Sequence, residues 1–410
     1  MKIIYDITVL GLHGPHEENK TGVYRVIEDL FNSLNQIKEL ELGYSHSSFM
    51  YYNEYSKKYL KDRGLKPELV FSSRPYFRIL PRSIFGKGHR YFNYLYKNLG
   101  IKIDREHLVY NKRDSKEYSI FHSPFYPIPD EIQAISGIKT VITIYDLIPI
   151  LFPKLHPLKG QIEKTIESIG DGYAICISEC TKNDLLKYNP KLDPNKVFVA
   201  MLAASPKIFY KDENPKKFED IREKYSIPRK YFLSLSTLEP RKNIDHLIRS
   251  FVKFIKEYQI EDLSLVLVGT KGWMFDKIFE EFDNAGELKS KIILTGRIPD
   301  EDLAIVYSNA HSFYYMSLYE GFGLPPLEAM QCGVATVTSN TSSLPEVVGD
   351  GGITLDPTNQ EELVKVMNRL YSDDLFKDEM KEKALIQAAK FSWDICAARY
   401  FQIYKQIQQF

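Results

Sequence analysis

The chain has 410 residues, which is more than one hydrophobic core usually contains and suits two α/β domains. Hydrophobic residues make up 44% and charged residues 26%, so the composition excludes a mainly disordered protein. The 54 Lys and Arg side chains balance 54 Asp and Glu side chains, which excludes an overall basic field that could hold nucleic acid non-specifically.

The N-terminal half alternates short apolar runs with helical patterns. Residues 2–10 predict a strand, and residues 22–35 place apolar side chains at the spacing of a helix. Further strands are predicted at 119–123, 140–145, 173–178 and 196–202. This β–α–β rhythm favours a parallel sheet that is covered by helices on both faces.

Residues 69–102 differ in composition from the rest of this half, because they carry seven Lys or Arg and many aromatic side chains but no Asp or Glu. One interpretation is a surface for anionic lipid head groups or for an acidic acceptor, which would give the protein peripheral contact with a membrane. The other is a helical insertion with buried aromatic side chains and solvated cations. The composition leaves both interpretations open.

The rhythm of strands and helices restarts in the C-terminal half. A strand is predicted at 231–237 and a helix at 242–258, and further strands are predicted at 263–269, 291–296, 311–317 and 334–339. We therefore predict an α/β protein with two Rossmann-like, doubly wound domains. The predicted segments are a first domain at 1–205, a second domain at 206–392 and a C-terminal helix at 393–410 that packs back on the first domain.

Cysteine usage and hydropathy exclude other classes of protein. Cys176 and Cys180 lie four residues apart without a His or a second Cys pair nearby, which argues against a zinc site. Cys332 and Cys396 are isolated, so we expect reduced, buried thiols. We find neither a signal-peptide pattern nor an apolar run of membrane-spanning length, and we expect a cytoplasmic protein.

Glycines and carboxylates are combined in YEGFGLPPLEAMQCG at 319–333. Gly321 and Gly323 permit a tight turn between a predicted strand and a helix, and the amides at such a helix start can bind an anion. Glu320 and Glu328 flank this turn, and carboxylates accept hydrogen bonds from sugar hydroxyls. The pattern predicts a site for a nucleotide sugar; the alternative is a structural turn in which Glu328 stabilises the helix dipole.

A pair of cations, Arg241 and Lys242, follows the first predicted strand of the second domain. They should emerge at the carboxyl edge of the sheet, where they could compensate the charge of a departing diphosphate. The alternative is a solvated pair at a helix start, but cations there oppose the helix dipole, so a role in helix stability is disfavoured.

At these residues the sequence resembles a known family. The pattern E-x-F-G-L-x-x-x-E from Glu320 to Glu328 is similar to the signature of the retaining glycosyltransferases called family 4 (glycosyl transferases group 1). Three further segments resemble the same family: TLEPRKN at 237–243, LTGRIPDEDL at 294–303 and SLPEVVGDGG at 343–352. The resemblance implies a GT-B fold, with an acceptor-binding first domain, a nucleotide-sugar-binding second domain and the active site in the cleft between them.

The resemblance also implies a role for each matching residue. Glu328 would bind the ribose hydroxyls, Glu320 would face the transferred sugar, and Arg241 and Lys242 would clamp the diphosphate. The other implied donor contacts are the glycine loop at Gly22, the residues near the base, Arg297 and Ile298, and the backbone amides of Phe322, Gly323 and Leu324.

In the first domain, His122 resembles a family position near the reacting centre, although it could equally satisfy a local loop. Relatives often carry His-Asp where this chain has Tyr145-Asp146, which puts a catalytic role at position 145 in doubt. Many relatives also carry an Arg where this chain has Ser236-Thr237, so Arg241 and Lys242 would carry more of the charge.

The expected activity is transfer of a hexose, of mannose or glucose type, from a GDP- or UDP-linked donor to an acceptor hydroxyl. We expect retention at the anomeric carbon, no cofactor, no metal and a role in polysaccharide or glycoconjugate synthesis. The acceptor would be a glycan, lipid-linked or other hydroxyl compound. The alternatives are a GT-B sugar-nucleotide epimerase and a non-catalytic nucleotide-sugar-binding subunit; oligomeric state stays open.

Overall fold

The computed structural model describes residues 1–13, 22–47, 53–75, 106–110, 116–154 and 159–410. Of the basic and aromatic segment 69–102, only residues 69–75 fall within these ranges. No helix among the described residues is long and apolar enough to cross a membrane.

The first lobe is built on a sheet of eight described strands in the order β4-β3-β2-β1-β5-β6-β7-β8. Its strands are β1 (Lys2–Asp6), β2 (Glu41–His46), β3 (Leu69–Pro75), β4 (Glu106–Tyr110), β5 (Ile120–Ser123), β6 (Lys139–Ile144), β7 (Tyr173–Cys176) and β8 (Val197–Val199). All neighbouring strands pair in parallel except β3 and β4, which are antiparallel.

The described helices of the first lobe lie between these strands. They are α1 (Thr8–His13), α2 (Gly22–Leu34), α3 (Asn53–Asp62), α4 (Asp130–Gln133), α5 (Ile148–Leu151), α6 (Lys159–Glu167) and α7 (Glu179–Tyr188). The sheet order reverses at β1, which pairs with both β2 and β5. Ligands of open α/β sheets bind outside the carboxyl ends of the strands at such a reversal.

The second lobe is built on a parallel sheet of six strands in the order β11-β10-β9-β12-β13-β14. Its strands are β9 (Tyr231–Leu235), β10 (Ser264–Val268), β11 (Ile292–Gly296), β12 (Ser312–Tyr315), β13 (Thr336–Ser339) and β14 (Gly352–Leu355). Its helices are α8 (Pro215–Tyr225), α9 (Ile244–Tyr258), α10 (Asp276–Asn284), α11 (Asp300–Ser308), α12 (Leu324–Gln331), α13 (Leu344–Val348), α14 (Gln360–Ser372) and α15 (Asp374–Ala388).

Apolar periodicity explains how these elements pack. Helix α9 buries Leu247, Phe251 and Phe254, which are spaced three or four residues apart, against the second sheet. Strand β9 (YFLSL) buries nearly every side chain, as expected for a strand that is covered on both faces. The order reverses between β9 and β12, and ligands of open α/β sheets commonly bind at the carboxyl ends of two such strands.

The last helix, α16 (Trp393–Gln409), follows the second lobe in sequence but packs on the first. It contacts α2, and the Lys139 ammonium donates a hydrogen bond of 2.7 Å to the Ile407 carbonyl. The amide of Gln408 donates to the Ser119 hydroxyl at 2.6 Å. The chain therefore crosses between the lobes twice, after β8 and again before α16.

The prediction of one strand over residues 2–10 is wrong beyond Asp6, because helix α1 begins at Thr8. The carboxylate of Asp6 accepts hydrogen bonds from the backbone amides of Thr8, at 2.8 Å, and of Ser47, at 3.0 Å. This buried carboxylate turns the chain out of the sheet, and the apolar run VLGL then packs as a helix. Apolar runs of this length fit a buried helix as well as a strand.

Candidate active site

The charged residues predicted from the sequence meet at the carboxyl ends of β9 and β12. After β9 the chain forms a short 3₁₀ turn, Pro240–Lys242, and after β12 it forms the glycine turn. The backbone amide of Leu318 donates to the Arg241 carbonyl at 2.8 Å, and the Arg241 guanidinium donates to the Tyr319 carbonyl at 2.7 Å. These bonds join the two predicted donor-binding segments.

Glu320 is the anion at the centre of this junction. Its Oε1 lies 2.6 Å from Lys242 Nζ, and its Oε2 lies 2.9 Å from Arg241 Nη1. Burial alone would raise the pKa of the Glu320 carboxyl, but the two cations outweigh it and lower the pKa to about 2. Glu320 is therefore ionised at every pH at which the protein could work.

Two hydroxyl groups complete the surroundings of Glu320. Tyr315 Oη accepts a hydrogen bond from Lys242 Nζ at 2.6 Å and donates one to Glu320 Oε1 at 2.9 Å. Ser317 Oγ donates to the same carboxylate oxygen at 2.6 Å. The resemblance implied that Glu320 faces the transferred sugar, whereas here both of its oxygens bind side chains of its own lobe. In this conformation the Glu320 carboxylate holds the side chains of Arg241 and Lys242.

A second carboxylate, Glu239, balances the cluster. It lies 2.5 Å from Arg241 Nη2 and is almost completely buried. Two cations and two carboxylates therefore form a group without net charge. Lys242 uses two of its three N–H donors on Tyr315 and Glu320, which leaves one for a ligand. The contacts of Glu239, Tyr315 and Ser317 with this charged group arise from the fold, so no sequence pattern indicated a role for these residues.

The glycine turn is held from the following loop. Ser343 Oγ donates to the carbonyls of Glu320, at 2.9 Å, and Phe322, at 2.6 Å. Gly323 has φ of 122°, a backbone conformation that favours glycine. Helix α12 then begins at Leu324, and the two prolines that follow carry no backbone N–H. The donors left for an anion at this helix start are therefore the amides of Gly323 and Leu324.

Glu328 lies one turn into α12 and is 8% exposed. Its Oε2 accepts a hydrogen bond of 3.0 Å from Tyr307 Oη. Burial raises the pKa of the Glu328 carboxyl to about 7, although the nearby Arg25 guanidinium and the Tyr307 hydrogen bond act in the opposite direction. Arg25 belongs to α2 of the first lobe and reaches Asp300 of the second at 3.3 Å, so Glu328 lies where the lobes face each other.

The remaining predicted donor contacts are divided between the two lobes. Gly22 begins α2, and a Cβ atom built on it would meet no other atom within 4 Å. Arg297 follows β11 and is exposed, whereas Ile298 is 3% exposed and packs in the core. Phe322 is 4% exposed.

His122 lies in the core of the first lobe. Its Nδ1 is hydrogen-bonded to Tyr404 Oη at 2.7 Å and its Nε2 to Thr143 Oγ1 at 2.9 Å. Burial lowers the pKa of the imidazole to about 3, so the ring is neutral. Both nitrogens are engaged and the side chain is fully buried, so the structure does not support the predicted catalytic contact of His122.

The two lobes touch behind the glycine turn. A Cβ atom built on Gly321 would lie 2.3 Å from the Tyr145 carbonyl oxygen and 2.8 Å from Asp146 Cβ. This close approach requires glycine at position 321. Asp146 accepts a hydrogen bond from the Ile148 amide at 2.9 Å. Within the part of the chain that the structure describes, no group of three or more His, Cys, Asp or Glu side chains could hold a metal ion.

The sequence of this chain is similar to those of known proteins. The sequence profile of the family described as glycosyl transferases group 1 matches residues 217–390. The O-antigen chain mannosyltransferase B of Escherichia coli is 33% identical over 300 residues, which are 72% of this chain and 75% of that protein. The chain belongs to the group 1 glycosyltransferases.

Another relative of this glycosyltransferase is longer. The serotype-specific mannosyltransferase WbdA of Escherichia coli is 32% identical over 260 residues, which are 62% of this chain and 32% of WbdA. The chain thus spans about a third of the length of that relative.

Solved structures show the fold of the glycosyltransferase. Anabaena HepE in complex with UDP and glucose has a TM-score of 0.64 at 16% identity, and the match covers all of both chains. WaaG, a glycosyltransferase involved in lipopolysaccharide biosynthesis, has a TM-score of 0.59 at 13% identity and is covered over 98% of both chains. The fold is GT-B, as the sequence predicted.

Proposed function

We propose that this glycosyltransferase transfers a hexose from a nucleoside diphosphate sugar to an acceptor hydroxyl of a growing glycan, with retention at the anomeric carbon. Mannose is the first candidate sugar, because the relatives of greatest similarity named above are mannosyltransferases. Glucose-type donors, linked to UDP or GDP, are the next candidates. The acceptor is a glycan or a lipid-linked hydroxyl compound.

The observation that carries this proposal is the meeting of Arg241, Lys242 and Glu320 at one edge of the second lobe, beside Glu328. The cations come from the end of β9 and the carboxylates from the segment after β12. Cations that are held by buried carboxylates need no reorganisation when negative charge develops beside them. Glu328, which lies one helical turn after the start of α12, adds an acceptor for the ribose hydroxyls.

In the proposed reaction the bond between the anomeric carbon and the diphosphate oxygen breaks, and the acceptor oxygen bonds to the same face of that carbon. The acceptor proton passes to the departing phosphate. Arg241, Lys242 and the amides of Gly323 and Leu324 stabilise the charge that the phosphate gains. Removing one such contact typically raises the barrier by ~3 kcal/mol, which lowers the rate by about a hundredfold.

The reaction as proposed requires no metal, because the cationic side chains take the place of a divalent ion at the diphosphate. The measurement is turnover in excess chelator. Unchanged turnover is expected, whereas loss of turnover that added Mg²⁺ restores would contradict metal independence.

The experiment that tests the function incubates the purified chain with GDP-mannose, UDP-glucose and related sugar nucleotides. Mannose-terminated oligosaccharides on an apolar aglycone serve as acceptors. Release of nucleoside diphosphate together with a glycosylated acceptor is expected, and NMR of the new linkage reports the anomeric configuration. Lys242→Ala is the matched control of reduced activity, and Lys365→Ala, at an exposed position of α14, is the control of unchanged activity.

Other outcomes of this experiment would overturn the proposal. Release of an altered free sugar without acceptor would indicate an epimerase. Nucleotide binding without diphosphate release from any donor would indicate a non-catalytic binding subunit. An inverted linkage would refute retention alone.

A further inference from the structure

The N-terminal turn of α7, in the first lobe, contacts the segment of the second lobe that carries the glycine turn. Glu346, from α13, places its carboxylate at the start of α7. Its Oε2 accepts a hydrogen bond from the backbone amide of Glu179 and its Oε1 from that of Cys180, both at 2.8 Å. Helix starts have free amide donors and a partial positive charge, so one lobe supplies the anion that stabilises a helix of the other.

Two hydroxyl groups of the same turn bind the backbone of the glycine turn directly. Ser178 Oγ donates to the Gly321 carbonyl at 2.7 Å, and Thr181 Oγ1 donates to it at 3.1 Å. All three residues are buried. Side chains of the opposite lobe therefore fix the orientation of the peptide group that contains the Gly321 carbonyl.

Tyr319 makes the third contact, one turn further along α7. Its hydroxyl donates to Asp184 Oδ2 at 2.5 Å, while its own carbonyl accepts from the Arg241 guanidinium. The side chain of Tyr319 thus contacts the first lobe, while its backbone carbonyl binds Arg241, a cation of the candidate active site. It precedes Glu320, which binds both Arg241 and Lys242.

We propose that these contacts form an interlobe clasp that positions the glycine turn for catalysis. The clasp consists of Ser178, Thr181 and Asp184 of the first lobe and of Tyr319, Gly321 and Glu346 of the second. It makes the placement of the catalytic cations depend on the mutual position of the lobes. The inference rests on the proposed function, because it assigns positioning residues to the same reaction.

The clasp should affect turnover more than nucleotide binding. Among the predicted nucleotide contacts, Glu328 is bound to Tyr307 of its own lobe and therefore stays in place when the clasp opens. The position of Arg241 and Lys242 relative to an acceptor bound on the first lobe changes when the clasp opens. A clasp variant should therefore lower kcat and leave the Kd for nucleoside diphosphate within twofold when both are measured at about pH 9, where Glu328 is ionised whether or not Arg25 lies beside it.

Glu346→Gln is the decisive variant, because it keeps the shape of the side chain but presents an NH₂ group to a backbone N–H. We expect kcat to fall by roughly tenfold, the effect of losing a hydrogen bond to a charged group. Tyr319→Phe should have an effect in the same direction, and the double variant should lose less than the product of the two effects, because both act on one segment. Glu361→Gln removes an exposed carboxylate of the second lobe and is the matched control.

Three measurements decide the proposal: kcat, nucleotide Kd, and small-angle scattering of the lobe separation. A wider separation in Glu346→Gln and Tyr319→Phe than in Glu361→Gln, together with the selective loss of kcat, would support it. A kcat equal to that of Glu361→Gln in both clasp variants, or a parallel loss of kcat and nucleotide affinity, would overturn it. If the wild type transfers no sugar, the proposed function fails separately, and scattering alone then judges the clasp.

Discussion

Lys242 has an ammonium group that is almost removed from water and depends on one carboxylate. Its side chain is 12% exposed and that of Glu320 is 10% exposed. Breaking a buried ion pair by removing one partner leaves an uncompensated charge and commonly costs about 3 kcal/mol or more. At this residue, therefore, the group that would stabilise the departing phosphate also stabilises the fold.

The first prediction concerns Lys242→Ala. We expect kcat/KM to fall by about a hundredfold, because one of the two cations at the departing phosphate is lost. We also expect a loss of stability of about 3 kcal/mol, because Glu320 keeps only Arg241 as its cationic partner. Steady-state kinetics and denaturant unfolding measure the two effects, and Lys365→Ala should change neither. Full activity in Lys242→Ala would contradict the assigned site.

The second prediction concerns the pH dependence of donor binding at Glu328. Ribose hydroxyls require an ionised acceptor, and the pKa of this carboxyl in the free protein is about 7. Donor affinity should therefore rise by about tenfold per pH unit up to pH 7 and then level off. Glu320, with its pKa at about 2, stays ionised across this range and cannot cause the slope.

Calorimetric titration with a sugar nucleotide between pH 5.5 and 8 measures the effect of Glu328, because the donor phosphates do not titrate there. Glu328→Gln should bind more weakly and without the slope. The same pKa implies that the native state keeps a proton that the unfolded chain loses between about pH 4.5 and 7. Above that window Glu328→Gln should therefore gain stability relative to the wild type. A flat binding profile in the wild type would refute the assignment.

At the scale of elements, α16 is fastened to the first sheet by buried polar groups. Tyr404 is hydrogen-bonded to His122 on β5, and Tyr400 is 3.2 Å from the hydroxyl of Thr143 on β6. His122 is also hydrogen-bonded to Thr143, and this bond connects the Tyr404 contact with the Tyr400 contact. All four side chains are buried, so each partner depends on the others for its hydrogen bonds.

The third prediction concerns Tyr404→Phe, which leaves Nδ1 of His122 without its partner in the core. We expect a loss of stability of about 1–3 kcal/mol, the penalty for an unsatisfied buried polar atom. The kcat and KM of the folded enzyme should not change, because the hydrogen bonds of this network join α16 to the first sheet and none of them reaches Arg241, Lys242 or Glu320. Denaturant unfolding and kinetics on the same preparation measure both, with the exposed Tyr188→Phe as the control. Loss of activity without loss of stability would contradict this prediction and would support a catalytic role for His122.

The sequence predicted elements and local motifs well because both depend on neighbouring residues. The strands at 231–235 and 264–268 lie within predicted apolar runs, and the segments carrying Arg241 and Glu328 belong to the matched family region. The contact of His122 with a helix 282 residues away depends on the path of the chain, which no local pattern reports. A buried imidazole and a catalytic one are identical in sequence.

The same limit applied within the candidate site. The motifs predicted that cations and carboxylates lie at one edge, but they did not predict that Glu320 binds the cations in the free protein. That contact requires β9 and β12 to be neighbours in the sheet. The segments that follow these strands are far apart in sequence: Ser317, which donates a hydrogen bond to the Arg241 carbonyl, lies 76 residues after it. Tyr315 and Ser317 fall in the strand predicted at 311–317, and a strand pattern does not report their hydrogen bonds to Glu320.

At the scale of the whole molecule, a charged contact beside Glu328 joins the two lobes. Arg25 lies on α2 of the first lobe and pairs with Asp300, which begins α11 of the second lobe. Both side chains also act on Glu328: the guanidinium lowers the pKa of its carboxyl and the Asp300 carboxylate raises it. The ionisation of the proposed ribose acceptor therefore depends on how the lobes are placed.

The fourth prediction uses Arg25 and Asp300 to shift the pH profile of donor binding in opposite directions. Arg25→Gln should move its midpoint to higher pH, because Glu328 loses a cation. Asp300→Asn should move it to lower pH, because Glu328 loses a neighbouring anion. Each shift should be roughly one pH unit or less, since both side chains are partly exposed and screened by water.

The two opposite shifts separate an effect on Glu328 from a general loss of lobe contact. Removing either partner breaks the same ion pair, so a purely structural role would move both variants in one direction. Arg229→Gln, which removes an exposed cation that pairs with Glu219 of the second lobe, should leave the midpoint where it is. The profile of kcat/KM against pH measures all three variants, and adding salt should reduce both shifts. Equal midpoints in Arg25→Gln and Asp300→Asn would show that the lobes do not face each other across Glu328 when the donor binds.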